Sequence, residues 1–142
     1  MKIKKYRICV IGTGYVGLVS GTCFAEMGHR VVCVDNNKEK IENLKKGILP
    51  IYEPGLGKLI LKNRKAGRLS FTTDITSAVK KSSVVFIAVH TPTKENGETD
   101  LQYVEDVSKE VAKAIDKYKI IVSKSTMPVN TGQRIKDRKS VV

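Results

Sequence analysis

Glycine stands at the first, third and sixth positions of Gly12-Thr13-Gly14-Tyr15-Val16-Gly17, and a carboxylate, Asp35, follows one strand further on. That spacing suits the pyrophosphate of a dinucleotide. Gly12 permits a tight turn out of a strand. Gly14 has no Cβ, so phosphate comes close to the backbone, and Gly17 lets a helix pack tightly on the strand before it. The amino end of that helix offers unpaired N–H groups and the positive end of its dipole. Asp35 accepts hydrogen bonds from both ribose hydroxyls and repels a 2′-phosphate, which favours NAD over NADP. The competing reading is a glycine-rich turn without a ligand. It leaves unexplained why strand, glycines, helix, second strand and acid all fall in register.

These groups need a scaffold, and the remaining sequence supplies one. Residues 7–11 and 31–34 read as short buried strands, joined by a helix over 18–27 that Gly28 closes. Gly21 and Ala25 continue the small face of that helix at four-residue spacing. Residues 38–46 form a helix with Ile41 and Leu44 inward, capped by Asn36 or Asn37 and ended by Gly47. Lys40 lies one turn past Asp35 and either borders the adenosine or is a solvated lysine. Residues 48–56 hold Pro50, Pro54 and Gly55 and make a defined loop. It is apolar for a loop, so it packs on another domain or lines a site. A helix follows over 57–64 with Leu59 and Ile60 inward, then a strand over 69–73 and a short helix from the Asp74 cap to 80.

Residues 84–89 are the most apolar run and predict a central parallel strand, which leads into His90-Thr91-Pro92-Thr93 and a polar loop over 94–100. A helix over 101–117 turns Val104, Val107, Val111 and Ile115 inward, 120–122 is a fifth strand, and another helix begins over 129–139. The alternation predicts an α/β fold, a doubly wound parallel sheet of Rossmann-like type with strand order 3-2-1-4-5. Ligands bind such sheets at the strands' carboxyl ends, beside the switch point between strands one and four. Gly12 to Gly17, Asp35, Thr73, Val89 to Thr93 and Ser125 to Met127 converge there.

Length and composition bound the reading. A chain of 142 residues accommodates one domain with a real core. No apolar run approaches the ~20 residues of a membrane span, and the amino end has no signal-peptide core, so a cytoplasmic protein without a membrane partner is expected. Cys9, Cys23 and Cys33 match neither a disulfide framework nor a zinc spacing and read as small core residues; no metal is expected. The formal charge is +12, from 26 basic and 14 acidic side chains, densest at Lys58, Lys62, Arg64, Lys65 and Arg68. The lysines are scattered and not interleaved with aromatics, which disfavours nucleic acid. A solvated face, or a positive field for an anionic dinucleotide or sugar-nucleotide, fits better.

Gly-Tyr-Val-Gly-Leu at 14–18, Tyr-Glu-Pro-Gly-Leu at 52–56, Thr-Pro-Thr at 91–93 and Lys-Ser-Thr-Met-Pro-Val at 124–129 stand in one order. With them the chain resembles the UDP-glucose/GDP-mannose dehydrogenase family from about Arg7 to Ile135. The resemblance implies a family that oxidises a sugar-nucleotide alcohol twice, with two NAD, to a uronate. It implies that Gly12, Thr13, Gly14, Tyr15, Val16 and Gly17 hold the pyrophosphate, Asp35 the adenosine ribose, and Lys40 the adenosine flank. Val89, His90, Thr91, Pro92 and Thr93 then line the cofactor pocket, with no catalytic role for His90. Ser125, Thr126 and Met127 border the nicotinamide, where the Thr126 hydroxyl assists catalysis by organising water or the reacting hydroxyl. Glu53 is either a group near the cofactor and the domain boundary or a carboxylate that stabilises its own turn.

The resemblance also implies parts absent from these residues: a glutamate in an Asn-Pro-Glu-Phe-Leu motif, a long central helix, a lysine, an asparagine, and the cysteine that forms the thiohemiacetal and thioester of the second oxidation. The expectation is therefore an amino-terminal NAD-binding domain, residues 1–142, that is a fragment and inactive alone. Its substrate in the complete enzyme is a UDP-sugar. A stand-alone NAD-binding or interaction module is the alternative, as is a dehydrogenase for another UDP- or GDP-sugar. The edge of the last strand, Ile120 to Ser123, is expected to promote self-association.

Overall fold

A computed structural model of the chain describes residues 4–128 and 133. The helix expected over 129–139 falls, apart from residue 133, outside them. The elements are β1 (Arg7–Ile11), α1 (Tyr15–Glu26), β2 (Arg30–Val34), α2 (Lys38–Lys46), α3 (Leu56–Lys65), β3 (Leu69–Thr72), α4 (Ile75–Lys81), β4 (Val84–Ile87), α5 (Gln102–Ala114) and β5 (Ile120–Ser123). The strands form one sheet in the order β3-β2-β1-β4-β5, every pair parallel, as the alternating pattern predicts. Among the described residues no helix is long and apolar enough to cross a membrane.

Side-chain alternation divides the core between the two faces of the sheet. Ile8, Val10, Val31, Cys33, Leu69 and Phe71 pack with Leu18 and Ala25 of α1, Ile41 and Leu44 of α2, and Leu56 and Ile60 of α3. Cys9, Ile11, Val34 and Val85 pack on the other face with Ala78 and Val79 of α4 and Val111 and Ala114 of α5. Two caps follow expectation: Asn37 accepts the Lys40 N–H at 3.0 Å and Asp74 the Ser77 N–H at 2.9 Å.

Four expectations need correction. Cys23 is exposed, whereas Cys9 and Cys33 are buried. α1 is apolar nearly all round, and it turns its smallest stripe, Gly17, Gly21, Thr22 and Ala25, to the sheet, so Cys23 points outward. A Cβ on Gly21 would lie 2.6 Å from the Cys33 thiol, a separation that only glycine permits. β4 ends at Ile87 rather than Val89, because the chain there leaves the ladder to cross the glycine turn: the Ala88 N–H donates to the Ile11 carbonyl at 2.8 Å. α5 ends at Ala114, where Ile115 turns extended. Leu59 in α3 is only half-buried, and Asn63 takes its place inside. Asn63 donates to Glu26 and to the Leu59 carbonyl and accepts from the Arg68 Nε, so its amide is satisfied.

Lys119, at the entry to β5, has a wholly buried side chain. Its Nζ donates to the carbonyls of Lys80 and Ser82 at 3.0 and 2.8 Å, closing the carboxyl end of α4, and lies 3.3 Å from the Asp116 carboxylate. A cation there satisfies helix-end carbonyls and opposes their dipole. Lys119→Met keeps the stem but leaves the carbonyls unpaired. It is expected to lower unfolding free energy by about 2 kcal/mol, read as a shift in urea midpoint at constant m-value.

Candidate functional site

The site is built on the carboxyl edge of the sheet, where β1 and β4 lie side by side and their following segments diverge. Its three glycines have separate tasks. Gly12 has φ +102° and a Cβ there would collide with the Ala88 carbonyl. A Cβ on Gly17 would collide with the Gly12 carbonyl. Both are glycines because the protein's own backbone comes so close. Gly14 differs: its φ of −73° is open to any residue, and nothing lies within 4 Å of the position of its Cβ. Among the described residues, nothing fills the space over Gly14.

That space is ringed by donors. The first α-helical bond of α1 runs from the Leu18 N–H to the Gly14 carbonyl, and no side chain caps the helix. The N–H groups of Gly14, Tyr15, Val16 and Gly17 therefore have no acceptor among the described residues. Unpaired N–H groups at the positive end of a helix dipole, over a backbone without a Cβ, fit a phosphate anion. Thr13 behaves differently from its neighbours. It is fully buried, and both its N–H and its hydroxyl donate to the Asp35 Oδ2, at 3.0 and 2.6 Å. It positions the carboxylate.

Asp35, just beyond β2, is half-buried. Oδ2 also accepts from the Lys40 Nζ at 3.1 Å, and Oδ1 accepts the Asn37 N–H at 3.1 Å. Lys40 is thus seated on Asp35 rather than solvated. Burial pushes the Asp35 carboxyl up, but the hydrogen bonds from Thr13, the Asn37 N–H and Lys40 outweigh it and hold the pKa below the ordinary value of 3.8. Oδ1 retains room for a further donor such as a ribose hydroxyl. Because the folded pKa is depressed, the carboxylate stabilises the fold above the unfolded value, and that contribution is lost as pH falls through the folded pKa. Asp35→Asn is therefore expected to flatten the stability–pH curve on the acid side of pH 3.8, measured by urea unfolding across that range.

Glu53 does not stabilise its own turn through its side chain. Its Oε2 accepts from the Tyr15 hydroxyl at 2.6 Å, tying the apolar loop between α2 and α3 to the first residue of α1. This bond and the nearby negative charge raise the Tyr15 pKa.

The far side of the crevice comes from β4 and β5. Val89 is half-buried against the second core, His90 is exposed, and Thr91 and Pro92 are half-buried. Thr93 bridges Thr99, so the polar loop is a small hairpin, closed also by the Asp100 N–H on the Pro92 carbonyl at 2.7 Å. The Ser125 hydroxyl donates to the Val89 carbonyl at 2.8 Å and its N–H to the Ile87 carbonyl at 3.2 Å, so the two strand exits are fastened together. Thr126 is exposed and Met127 half-buried. The segments expected at the strand ends therefore share one edge, with Thr126 unencumbered beside it. The Tyr15–Glu53 link is among the features sequence reasoning missed: a tyrosine and a glutamate thirty-eight positions apart carry no local signal.

Comparison with known proteins agrees with this geometry. The profile of the UDP-glucose/GDP-mannose dehydrogenase family, NAD binding domain, matches residues 6–140. UDP-glucose 6-dehydrogenase TuaD of Bacillus subtilis is 54% identical over 129 residues, covering 91% of this chain and 28% of the relative. UDP-glucose 6-dehydrogenase of Rhizobium meliloti is 52% identical over 130 residues, covering 91% of this chain and 30% of the relative. Among solved structures, a ternary complex of GDP-mannose dehydrogenase from Pseudomonas aeruginosa superposes with a TM-score of 0.89 at 41% identity, over 94% of this chain and 33% of that one. A UDP-glucose dehydrogenase from Pyrobaculum islandicum does so with a TM-score of 0.90 at 36% identity, over 98% and 34%. The chain thus spans under a third of the length of the curated relatives above. By motif order, strand order and the match over residues 6–140, the chain belongs to the UDP-glucose/GDP-mannose dehydrogenase family, as its NAD-binding domain.

Proposed function

We propose that this chain is the cofactor-binding part of an NAD-dependent UDP-sugar 6-dehydrogenase, with UDP-glucose the first candidate substrate, acting in the cytoplasm. The observation that carries the reading is the open space at Gly14, ringed by unpaired N–H groups and followed by Asp35 at the end of β2. The relatives named above favour UDP-glucose over other sugar-nucleotides.

Each residue then has a role. The N–H groups of Gly14 to Gly17 hold the pyrophosphate. Asp35, oriented by Thr13 and Lys40, takes the adenosine ribose, and Lys40 flanks the adenosine. Val89 to Thr93 line the pocket, and Ser125 to Met127 border the nicotinamide. NAD, when bound, supplies the hydride acceptor. Thr126 orients the reacting hydroxyl or a water through its own hydroxyl, but a threonine is too weak a base to take the proton alone. Glu53 holds Tyr15, and with it the first turn of α1, beside the pyrophosphate. The open edge of β5 self-associates or takes up a further strand.

Titration calorimetry with NAD and NADP tests the assignment. NAD binds more tightly, and Asp35→Ala weakens NAD by about 1.5–3 kcal/mol through lost charge-assisted bonds to the ribose. Equal or tighter binding of NADP to the unaltered chain overturns it.

A further inference from the structure

The opposite edge of the sheet carries a second feature that the nucleotide site does not use. Arg7 and Arg30 are the first residues of β1 and β2 and pair in register. By alternation they project to the face of Cys9 and Val32. Arg68, just before β3, turns its guanidinium to the other face, where its Nε donates to the Ala25 carbonyl and to Asn63, so the row on this face is Arg7 and Arg30. Neighbouring strands lie about 4.8 Å apart, so two guanidinium-bearing side chains stand side by side. Like charges directly opposite one another destabilise a sheet, and a carboxylate in reach is the usual remedy. No ion pair supplies it here: all five ion pairs of the described residues lie elsewhere, and none involves Lys5, Arg7, Arg30 or Lys81.

The row opens onto a cavity of about 390 Å³ between α4 and the part of the sheet that α4 leaves uncovered. Its polar walls include Ser70 on β3, Ser77 and Lys81 on α4, and Arg7, Arg30 and Arg68. A second open cavity of about 550 Å³ continues from the same arginines to Lys5. Asp74 is the one carboxylate on these walls among the described residues, and its Oδ1 is engaged by the Ser77 N–H at the head of α4. The Arg68 Nε is fixed on the Ala25 carbonyl and Asn63, which draws that guanidinium toward the α1 and α3 side of the sheet. β3 therefore presents hydroxyls, not apolar groups, on its open face, and among the described residues Arg7, Arg30 and Lys81 beside them form no ion pair.

We propose that this amino-edge groove binds an oligophosphate anion, separately from the nucleotide crevice. Several acceptor oxygens spread along an extended anion match a row of guanidinium forks and flanking hydroxyls, whereas a single carboxylate meets only one of them. The two sites lie at opposite ends of β1, roughly 16 Å apart for a five-residue strand, so both are occupied at once.

Inorganic pyrophosphate is the probe, titrated by calorimetry and thermal unfolding into the 142-residue chain with NAD in excess at low ionic strength. Pyrophosphate binds and raises the melting temperature. The double variant Arg7→Gln, Arg30→Gln binds it about tenfold more weakly or worse, keeps its NAD affinity, and without any anion melts higher than the parent because the repulsion is gone. Sodium chloride at matched ionic strength serves as the screening control. The proposal is overturned if pyrophosphate does not bind, if sodium chloride reproduces its effect, or if the double variant responds like the parent. It is also overturned, in favour of nucleic acid, if a random-sequence oligonucleotide binds through the same two arginines far more tightly than pyrophosphate does.

Discussion

Given UDP-glucose and NAD, the purified 142-residue chain is expected to form no UDP-glucuronate. The alcohol has to be held at the nicotinamide and lose a proton as hydride leaves, and the resulting aldehyde gives up a second hydride only after a nucleophile has added to it. Among the described residues no cysteine stands at the crevice to be that nucleophile, and the threonine there is too weak a base to take the proton alone. Cys9 lies in the middle of β1 and burial pushes its thiol up to about 12. Cys33 lies in the middle of β2, and burial raises its pKa further. Cys23 is exposed but sits eight residues along α1 from Tyr15, roughly 12 Å from the amino end of that helix. Thr126, in the role proposed for it, orients a hydroxyl without accepting its proton. Chromatography of an overnight reaction with excess enzyme is the measurement. Product that vanishes in Thr126→Ala would show that these residues suffice for turnover, and the assignment of missing chemistry would be wrong.

The second large effect separates two glycines three positions apart. Gly17→Ala is expected to destabilise the fold by about 3 kcal/mol or more, because the new methyl meets the Gly12 carbonyl and neither backbone segment is free to retreat. Gly14→Ala is expected to leave the urea midpoint where it is, since its backbone suits any residue and its Cβ points into open space. It should nevertheless weaken NAD about tenfold or more, near 1.4 kcal/mol, by filling the space the pyrophosphate needs. Urea unfolding and calorimetry on the two variants read the contrast. Should Gly14→Ala bind NAD as the parent does, the pyrophosphate is not held over that turn.

The strand order and the nucleotide turn were legible because they rest on local pattern: apolar runs of strand length, glycines at fixed offsets, and Asn37 and Asp74 where caps belong. The match holds from β1 to β5. What the pattern does not carry is which apolar residue of a helix faces the sheet when nearly all of them are apolar. α1 turned its small stripe inward and left Cys23 outside, since backbone approach, not hydrophobicity, decided the face. The end of β4 was misjudged for a related reason: Ala88 and Val89 are strand-like residues diverted by the crossing over Gly12. In the site, Asp35 was legible as an acid at the right place, but not its engagement by Thr13 and Lys40, because side-chain bonds between separate elements leave no spacing to read.

The crossing of Ala88 over Gly12 also bears on how the chain acquires its binding surface. The glycine turn spans six consecutive residues and reads as something the first βαβ unit makes for itself. Yet the left-handed backbone at Gly12 lies directly beneath the Ala88 carbonyl, and the Ala88 N–H closes onto Ile11. A nascent chain that has emerged only through β3 holds every residue of the turn and lacks its roof. Long-range strand pairing of this kind is slow relative to helix formation, so helix α1 precedes a finished phosphate cradle during synthesis. Nucleotide capture then stabilises only molecules in which β4 has docked, which makes the cofactor a selector for the completed sheet rather than for its first half.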